Sequence, residues 1–210
     1  MSRLAKIVLA SGNLGKLAEL RRLLAPLGLM VVNQSELGIA AAPEPYLSFI
    51  ENALAKARHA AQASELAALA DDSGICVNAL AGAPGVHSAR YAAIHGHGSG
   101  DAANNAYLVQ TMRGQLDRSA YYYCVLVLVR SADDPQPIIA DAVWRGEIVL
   151  EPHGLGGFGY DPHFWLPQLG CTVAQLSLER KNQLSHRAQA LQLLVERLSA
   201  LGLVGPNGPR

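Results

Sequence analysis

The sequence is poor in three features that would each point to a particular class of protein. Its three cysteines, Cys76, Cys124 and Cys171, lie far apart without CxxC spacing, which argues against a disulfide framework and a cysteine-ligated zinc and favours thiols in a reducing compartment. Lys plus Arg and Asp plus Glu both number 17, so the basic excess typical of polynucleotide binders is missing. The apolar run near the start covers only residues 7–10, too short for a secretory leader or a membrane span. We therefore expect a cytoplasmic protein with neither a membrane nor a polynucleotide as partner, although local basic clusters could still bind a small anion.

Half of the 210 residues are hydrophobic, and their spacing alternates between strand and helix periods. Apolar runs at 7–10 and 30–32 predict strands, and helical spacing predicts helices over 17–27 and 47–63. Further strands are predicted at 66–70, 75–80, 121–129, 138–144 and 147–150. Further helices are predicted at 102–112 and around a closing stripe of Leu191, Leu194, Val195, Leu198 and Leu201. Because no linker or repeat interrupts this pattern, we expect one α/β domain over 1–204, a long mixed β-sheet flanked by helices, and a frayed tail at 205–210.

The first predicted strand and helix are joined by 11-SGNLGK-16, a turn with the composition of a phosphate site. A Walker A loop needs four residues between its glycines and a hydroxyl residue after the lysine. Here Gly12 and Gly15 are only three apart and no hydroxyl follows Lys16, which excludes a P-loop. A helix N-terminus still favours an anion, so the Ser11 hydroxyl and Lys16 could hold a phosphate. A capped tight turn with a solvated lysine is the alternative.

Two adjacent aspartates, Asp71 and Asp72, follow an apolar run in 69-LADDSG-74. Magnesium takes carboxylate and phosphate oxygens, so neighbouring carboxylates at a strand end are a plausible site for it. Side chains alternate along a strand, so we expect one aspartate to face the site and the other to hold the turn or pair with a base. An ordinary Asx turn remains possible. Upstream, Lys56 could reach a phosphate or lie on a solvated helix face.

The loop 154-GLGGFGYDP-162 combines glycines with two aromatic residues and an acid. Glycine lets a ligand approach the backbone closely, and Phe158 and Tyr160 offer faces on which a base could stack. Asp161 could accept hydrogen bonds from base N–H groups. The alternative is a structural loop whose aromatic side chains pack into the core.

A cationic segment, 181-KNQLSHRAQA-190, precedes the closing apolar stripe. If Ser185 is an N-cap, His186 and Arg187 fall in the first helical turn, where each cation opposes the helix dipole by about 0.3–1 kcal/mol. Together with Lys181 they suggest binding of a nucleotide's base or phosphate. Alternatively, the helix begins near residue 178 and these charges lie on its wet face.

Six segments taken in order resemble the inosine triphosphate pyrophosphatase family from about Lys6 to Leu201. The segments are SGNLGK, FIENALAKA, LADDSG, GAPGVHSARYA, GGFGYDPHFWLP and KNQLSHRAQA. The resemblance implies a magnesium-dependent homodimer with an elongated mixed sheet and two α/β lobes flanking an active-site cleft. It also implies hydrolysis of ITP, dITP and XTP to the monophosphate and pyrophosphate, with discrimination against ATP and GTP, a role that cleanses the nucleotide pool.

The resemblance also implies roles for particular residues. Asp72 would be a magnesium ligand and the presumed general base, and Lys16 would assist catalysis. The implied substrate-binding residues are Ser11, Gly12, Asn13, Leu14, Gly15, Lys16, Lys56, Ser73, Phe158, Gly159, Tyr160, Asp161, Lys181, His186 and Arg187. One departure concerns a second metal ligand, because the family often has a glutamate before an x-x-Gly step where this chain reads 43-PEPY-46. Glu44 is the neighbouring candidate.

Three alternatives to this function stay open at the level of the sequence. A related pyrophosphatase of the septum-inhibitor type would act on other modified or pyrimidine triphosphates. A nucleotide-binding regulator would bind without turnover. A polynucleotide-binding protein is the third, against which the charge balance argues.

Overall fold

The computed structural model describes residues 3–11, 20–21 and 24–205, and within them a mixed α/β fold. Its strands are β1 (Lys6–Leu9), β2 (Met30–Asn33), β3 (Ala67–Val77), β4 (Ser119–Val129), β5 (Ile138–Ile148), β6 (Phe164–Leu166) and β7 (Cys171–Thr172). Its helices with described bounds are α1 (Phe49–Ser64), α2 (Tyr91–Ile94), α3 (Asp101–Met112), α4 (Leu178–Leu184) and α5 (His186–Ala200). The predicted helix over 17–27 and the predicted tail lie partly outside the described residues. No helix in the described ranges combines the length and apolar character needed to span a bilayer.

The described strands form one seven-stranded sheet in the order β2-β1-β3-β4-β5-β6-β7. β1 pairs in parallel with β2 and with β3, whereas β5, β6 and β7 pair antiparallel. The expected mixed α/β sheet is therefore confirmed. Strands β1 and β3 are aligned with Leu9 opposite Leu69, so β1 ends two residues before the level of Asp71 on the longer strand β3.

The chain forms two compact units, each assembled from separate segments. Unit 1 contains the described parts of 1–72, 125–141 and 190–210, and unit 2 contains 73–124 and 142–189. In unit 1, α1 packs against β1. In unit 2, an apolar cluster centred on Phe164, Tyr122 and Ile75 fills the core. The long strands β3, β4 and β5 each contribute residues to both units.

Two strand breaks predicted from the sequence are wrong. β3 runs without interruption through Asp71 and Asp72, so the Asx turn is absent there, and β5 continues through Gly146. β3 lies between β1 and β4 in the sheet order, and ladder pairing satisfies the backbone of a central strand whatever its side chains. Gly146 marks a close approach, because a Cβ there would overlap the Trp165 carbonyl oxygen and lie 2.8 Å from Phe164 ring atoms.

Candidate active site

The α1 helix of unit 1 begins at a cap that also fixes the segment before it. The Ser48 hydroxyl accepts the Glu51 N–H at 3.3 Å and donates to the Glu51 carboxylate at 2.6 Å, a reciprocal capping pair. The buried Asn52 side chain bonds both the N–H and the carbonyl oxygen of Tyr46, each at 3.1 Å. The segment that carries Glu44 is therefore tied to the helix that carries Lys56.

Lys56 lies between two carboxylates. Its ammonium donates to Glu44 Oε1 at 2.8 Å and to Asp72 Oδ1 at 3.0 Å. The Lys56 and Asp72 side chains are 13% and 12% exposed, against 36% for Glu44. Sequence spacing could not reveal this cluster, because its members come from a loop, a helix and a strand.

The electrostatics of this cluster reflect its burial. Burial alone lowers the pKa of Lys56, but Asp72, a hydrogen bond to Glu44, and Asp71 leave that pKa raised. For Asp72, burial raises the pKa, Lys56 lowers it, and the negative charges of Glu44 and Asp71 raise it, with a net increase. Burial, with the two neighbouring acids, therefore outweighs the effect of Lys56 on the pKa of Asp72.

Glu44 and Asp72 are the described residues that could hold a divalent cation in unit 1. Both reach the same ammonium, so their oxygens converge on one position that already holds positive charge. They are hard oxygen donors of the kind that magnesium prefers. The described residues contain no convergent group of three or more His, Cys, Asp or Glu side chains, and magnesium commonly completes its coordination with substrate phosphates and water. The predicted alternation is confirmed in part, since Asp71 is almost fully buried while the Asp72 side chain keeps a small exposed fraction.

The predicted phosphate turn follows β1, which ends beside the part of β3 that precedes Asp71 and Asp72. Ala10 N–H donates to the Leu69 carbonyl oxygen at 2.8 Å, which continues the pairing of β1 with β3 up to the partly buried Ser11. Ligands of open parallel sheets bind beyond the carboxyl ends of the strands. The rest of the turn, Gly12, Asn13, Leu14, Gly15 and Lys16, lies outside the described residues.

Asp161 organises the glycine loop of unit 2. It is buried, and its Oδ2 accepts the Phe158 N–H at 2.9 Å and an ammonium hydrogen of Lys181. Its Oδ1 accepts the Tyr122 hydroxyl at 3.3 Å. A side chain at Gly157 would overlap Asp161 Oδ2, and Gly157 adopts a φ of 77°, so glycine is required there. The expected contact of Asp161 with a base stays a prediction; in the structure its oxygens bind neighbouring groups of the chain.

The two aromatic residues of this loop have different environments. Phe158 is 59% exposed, and the Lys181 ammonium lies 4.0 Å from its ring centroid. Tyr160 is buried in the core and its hydroxyl donates to the Ser88 carbonyl oxygen at 2.8 Å. The Phe158 ring is therefore open to solvent, whereas neighbouring core residues cover Tyr160. Stacking of a base on either ring stays a prediction.

Asp101 and Asn105 of α3 hold Gly159, the residue between Phe158 and Tyr160. The Gly159 N–H donates to Asp101 Oδ2 at 2.6 Å, and the Gly159 carbonyl oxygen accepts from Asn105 Nδ2 at 2.8 Å. Asp101 and Asn105 are four apart, so one helix face presents both. Sequence reasoning missed this pair, although the i,i+4 spacing of two polar residues on a helix was a usable signal.

The cationic segment forms two helices that meet at Ser185. α4 contains Lys181 and ends at Leu184, and Ser185 then adopts an extended ψ of 155°. The Ser185 hydroxyl accepts the Ala188 N–H at 3.2 Å, which confirms the predicted N-cap. His186 and Arg187 therefore lie in the first turn of α5, while the alternative start near residue 178 describes the separate helix α4.

The first turn of α5 makes specific contacts within unit 2. The His186 ring stacks on the Tyr122 ring, with centroids 4.8 Å apart and planes 7° from parallel. The centroids of the His186 and Trp144 rings are 6.4 Å apart. Arg187 Nη2 donates to the Ser73 hydroxyl at 3.3 Å. The structure thus brings together six predicted residues of unit 2: Ser73, Phe158, Asp161, Lys181, His186 and Arg187. Tyr122 and Trp144 were not predicted.

Comparison with known proteins finds a matching family, relatives similar in sequence and a solved structure of similar fold. The Ham1 family model matches residues 7–197. The chain is 63% identical over 194 residues to a Nitrosomonas europaea protein named dITP/XTP pyrophosphatase, covering 92% of this chain and 94% of the relative. It is 65% identical over 193 residues to a Ralstonia nicotianae protein of the same name, covering 92% and 96%. A solved Ham1 protein from Coxiella burnetii superposes with a TM-score of 0.89 at 44% identity, covering 94% of this chain and 100% of that one.

Proposed function

The chain belongs to the Ham1 family, and on this premise we propose that it hydrolyses non-canonical purine nucleoside triphosphates such as dITP, XTP and ITP. The products are the nucleoside monophosphate and pyrophosphate. The resemblance drawn from the six sequence segments agrees with the names of the relatives. The role expected for such an activity is the removal of deaminated purines from the nucleotide pool.

The observation that carries the proposal is the arrangement around Phe158. An exposed aromatic face, a lysine ammonium held beside it by Asp161, and the His186 and Arg187 side chains all lie in unit 2. Aromatic faces stack on any base, so the ring by itself does not select. The hydrogen-bond donors Lys181, His186 and Arg187 do select among bases, because they require an acceptor on the base.

Base selection follows from the 6-position of the purine. Hypoxanthine and xanthine carry a 6-oxo acceptor for Lys181, His186 or Arg187. The 6-amino group of adenine would face these donors and leave them without acceptors, a penalty of about 1–3 kcal/mol. This amounts to roughly 5- to 150-fold discrimination when 1.4 kcal/mol is taken as about tenfold.

At the phosphate end, we propose that Glu44 and Asp72 hold magnesium and that Lys56 neutralises phosphate charge. The two carboxylates fit the ion because they converge on one cation position with hard oxygen donors. Bound magnesium would neutralise the triphosphate and lower the pKa of a water molecule. Ser11, Lys16 and the residues between them are proposed to bind the phosphate oxygens by amides and charge.

The proposed hydrolysis breaks the bond between the α-phosphorus and the bridging oxygen. Water attacks the α-phosphorus, Asp72 accepts its proton, and the bridging oxygen leaves with the electron pair as pyrophosphate. Positioning and electrostatics supply most of the acceleration in such a reaction. The family resemblance further implies a cytoplasmic homodimer in which residues 1–204 act as one domain, and we propose these properties as well.

The test is a substrate panel followed by product identification. The protein is incubated with magnesium and dITP, XTP, ITP, dATP, dGTP or modified pyrimidine triphosphates, and released phosphates are separated. We expect pyrophosphate from dITP, XTP and ITP. Release of orthophosphate would overturn the mechanism, and equal rates on dITP and dATP would overturn the base selection. Preference for a modified pyrimidine, or tight binding without turnover, would favour the alternative functions instead.

The Asp72→Asn variant tests the phosphate end of the site. We expect it to lose at least about 100-fold in kcat while keeping its fold, since charge at a metal and base position is removed. Asp133→Asn is a matched control, because Asp133 is an exposed acid on the β4–β5 connection. Near wild-type turnover of Asp72→Asn would remove Asp72 from the mechanism.

A further inference from the structure

Tyr122 contacts two residues that are proposed to take part in base recognition and that come from different segments, Asp161 and His186. It lies on β4 within the apolar core of unit 2. Its hydroxyl donates to Asp161, on the glycine loop, and its ring stacks on His186, at the start of α5. The backbone of the loop and of the first turn of α5 does not by itself fix the torsions of these side chains.

The hydroxyl contact determines the orientation of the Asp161 carboxylate. Oδ2 of that carboxylate holds the Phe158 N–H and the Lys181 ammonium, and Oδ1 is held by Tyr122. A carboxylate bound at both oxygens cannot rotate without breaking a hydrogen bond. The Tyr122 hydroxyl stays a donor at physiological pH, because burial and the Asp161 charge keep its pKa well above the ordinary value.

The ring contact determines the plane of the His186 imidazole. The two rings are nearly parallel with centroids 4.8 Å apart, and the Phe164 ring packs against Tyr122 with centroids 4.6 Å apart. The Ser185 cap fixes the His186 backbone, but the side-chain torsions still depend on packing. A leucine at 122 would remove the flat surface that aligns the imidazole, and a phenylalanine would keep it.

We propose that Tyr122 is a positioning residue for base recognition, holding Lys181 through Asp161 and His186 through its own ring. This inference rests on the proposed function at the same site. Base contacts lie away from the scissile phosphate, so they are formed equally in the bound substrate and in the transition state. Loss of such contacts raises KM and leaves kcat unchanged.

The test compares Tyr122→Phe and Tyr122→Leu with Tyr121→Phe, using dITP. Tyr121 is the matched control because it is next on the strand, on the opposite face, and its hydroxyl interacts with the Cys76 thiol. Tyr122→Phe should raise KM about three- to tenfold with kcat within about twofold. Tyr122→Leu should raise KM at least about threefold more, since the stack is lost as well. Tyr121→Phe should leave both constants within about twofold.

Several outcomes would overturn the proposal. An unchanged KM for Tyr122→Phe, a fall confined to kcat, or an equal rise for Tyr121→Phe would each do so. If the wild-type protein fails to hydrolyse dITP, the proposed function fails separately, and proton NMR then decides the positioning claim. The His186 ring protons should be shifted upfield in the wild-type protein and move downfield in Tyr122→Leu. Resonances that stay unchanged would show that the stack does not hold His186.

Discussion

Replacing Lys56 by methionine should destabilise the protein, because Lys56 is the cation shared by two carboxylates. Removal of one partner from a buried ion pair costs about 3–5 kcal/mol. Water reaches a small part of Lys56 and Asp72 and about a third of Glu44, so we reduce the expected loss to about 2–3 kcal/mol. For a chain of 210 residues, this lowers Tm by about 4–12 °C.

The pH dependence of this loss has a defined sign. Burial already raises the pKa of Asp72 above its ordinary value despite Lys56, and removal of Lys56 raises that pKa further. A carboxyl group with a raised folded-state pKa supports folding below its unfolded pKa, and that support is lost as pH rises through the folded value. The deficit of Lys56→Met should therefore be full at neutral pH and should shrink as pH falls towards about 4.

Thermal unfolding followed by circular dichroism, with and without magnesium, measures both effects. Magnesium should raise the Tm of Lys56→Met more than that of the wild-type protein, since the carboxylates have lost their competing cation. Arg58→Met is the matched control, because Arg58 is an exposed cation two positions along α1. If Lys56→Met unfolds within about 2 °C of this control, Lys56 does not balance buried negative charge and the reasoning is wrong.

Two further predictions concern stability. Gly146→Ala should lower Tm by about 2–12 °C, which corresponds to an overpacking cost of about 1–3 kcal/mol. The cost arises because the added Cβ meets the Trp165 backbone and the Phe164 ring. An unchanged melting curve would mean that β6 shifts freely. Asp134→Asn should cost about 1–3 kcal/mol at neutral pH, because hydrogen bonds from Arg130 hold the pKa of buried Asp134 well below its usual range. That stability is present above the unfolded pKa and lost as pH falls, so urea titrations of the two proteins should converge in acid; parallel pH profiles would contradict this assignment.

The periodic parts of the fold could be predicted from the sequence, but the continuity of its central strands could not. Residues 121–129 gave a clear strand, and β4 occupies Ser119–Val129. The polar segment around Asp71 and the step at Gly146 were each interpreted as breaks, because charged residues and glycine are common in turns. Tertiary pairing overrides that local preference, since each strand has neighbours on both sides in the sheet.

The residues that bear charge in the site were predictable, whereas the residues that position them were not. Lys56, Asp161 and Lys181 stand in segments whose composition is unusual enough to be noticed. Tyr122 stands in a run of three tyrosines that begins the apolar part of β4. Alternation along the strand assigns its side chain to one face of the sheet, but it cannot reveal which side chains of other segments contact it there. Asn52 likewise has the sequence environment of any helical asparagine, although its side chain fixes the segment carrying Glu44.

Each unit holds a lysine on a largely buried carboxylate, and in the proposed function this arrangement reduces the cost of binding a charged nucleotide. A free lysine side chain loses up to about 2 kcal/mol of rotamer entropy when it is ordered. Lys56 on Asp72 and Lys181 on Asp161 are already ordered by their own acids, so folding rather than binding bears that cost. When the lysine contacts a ligand, its carboxylate must either bind another cation in place of the lysine or share the lysine with that ligand. In the proposed function Asp72 gains a metal ion when it releases Lys56, whereas Asp161 keeps the Phe158 N–H and the Tyr122 hydroxyl as donors when it shares Lys181.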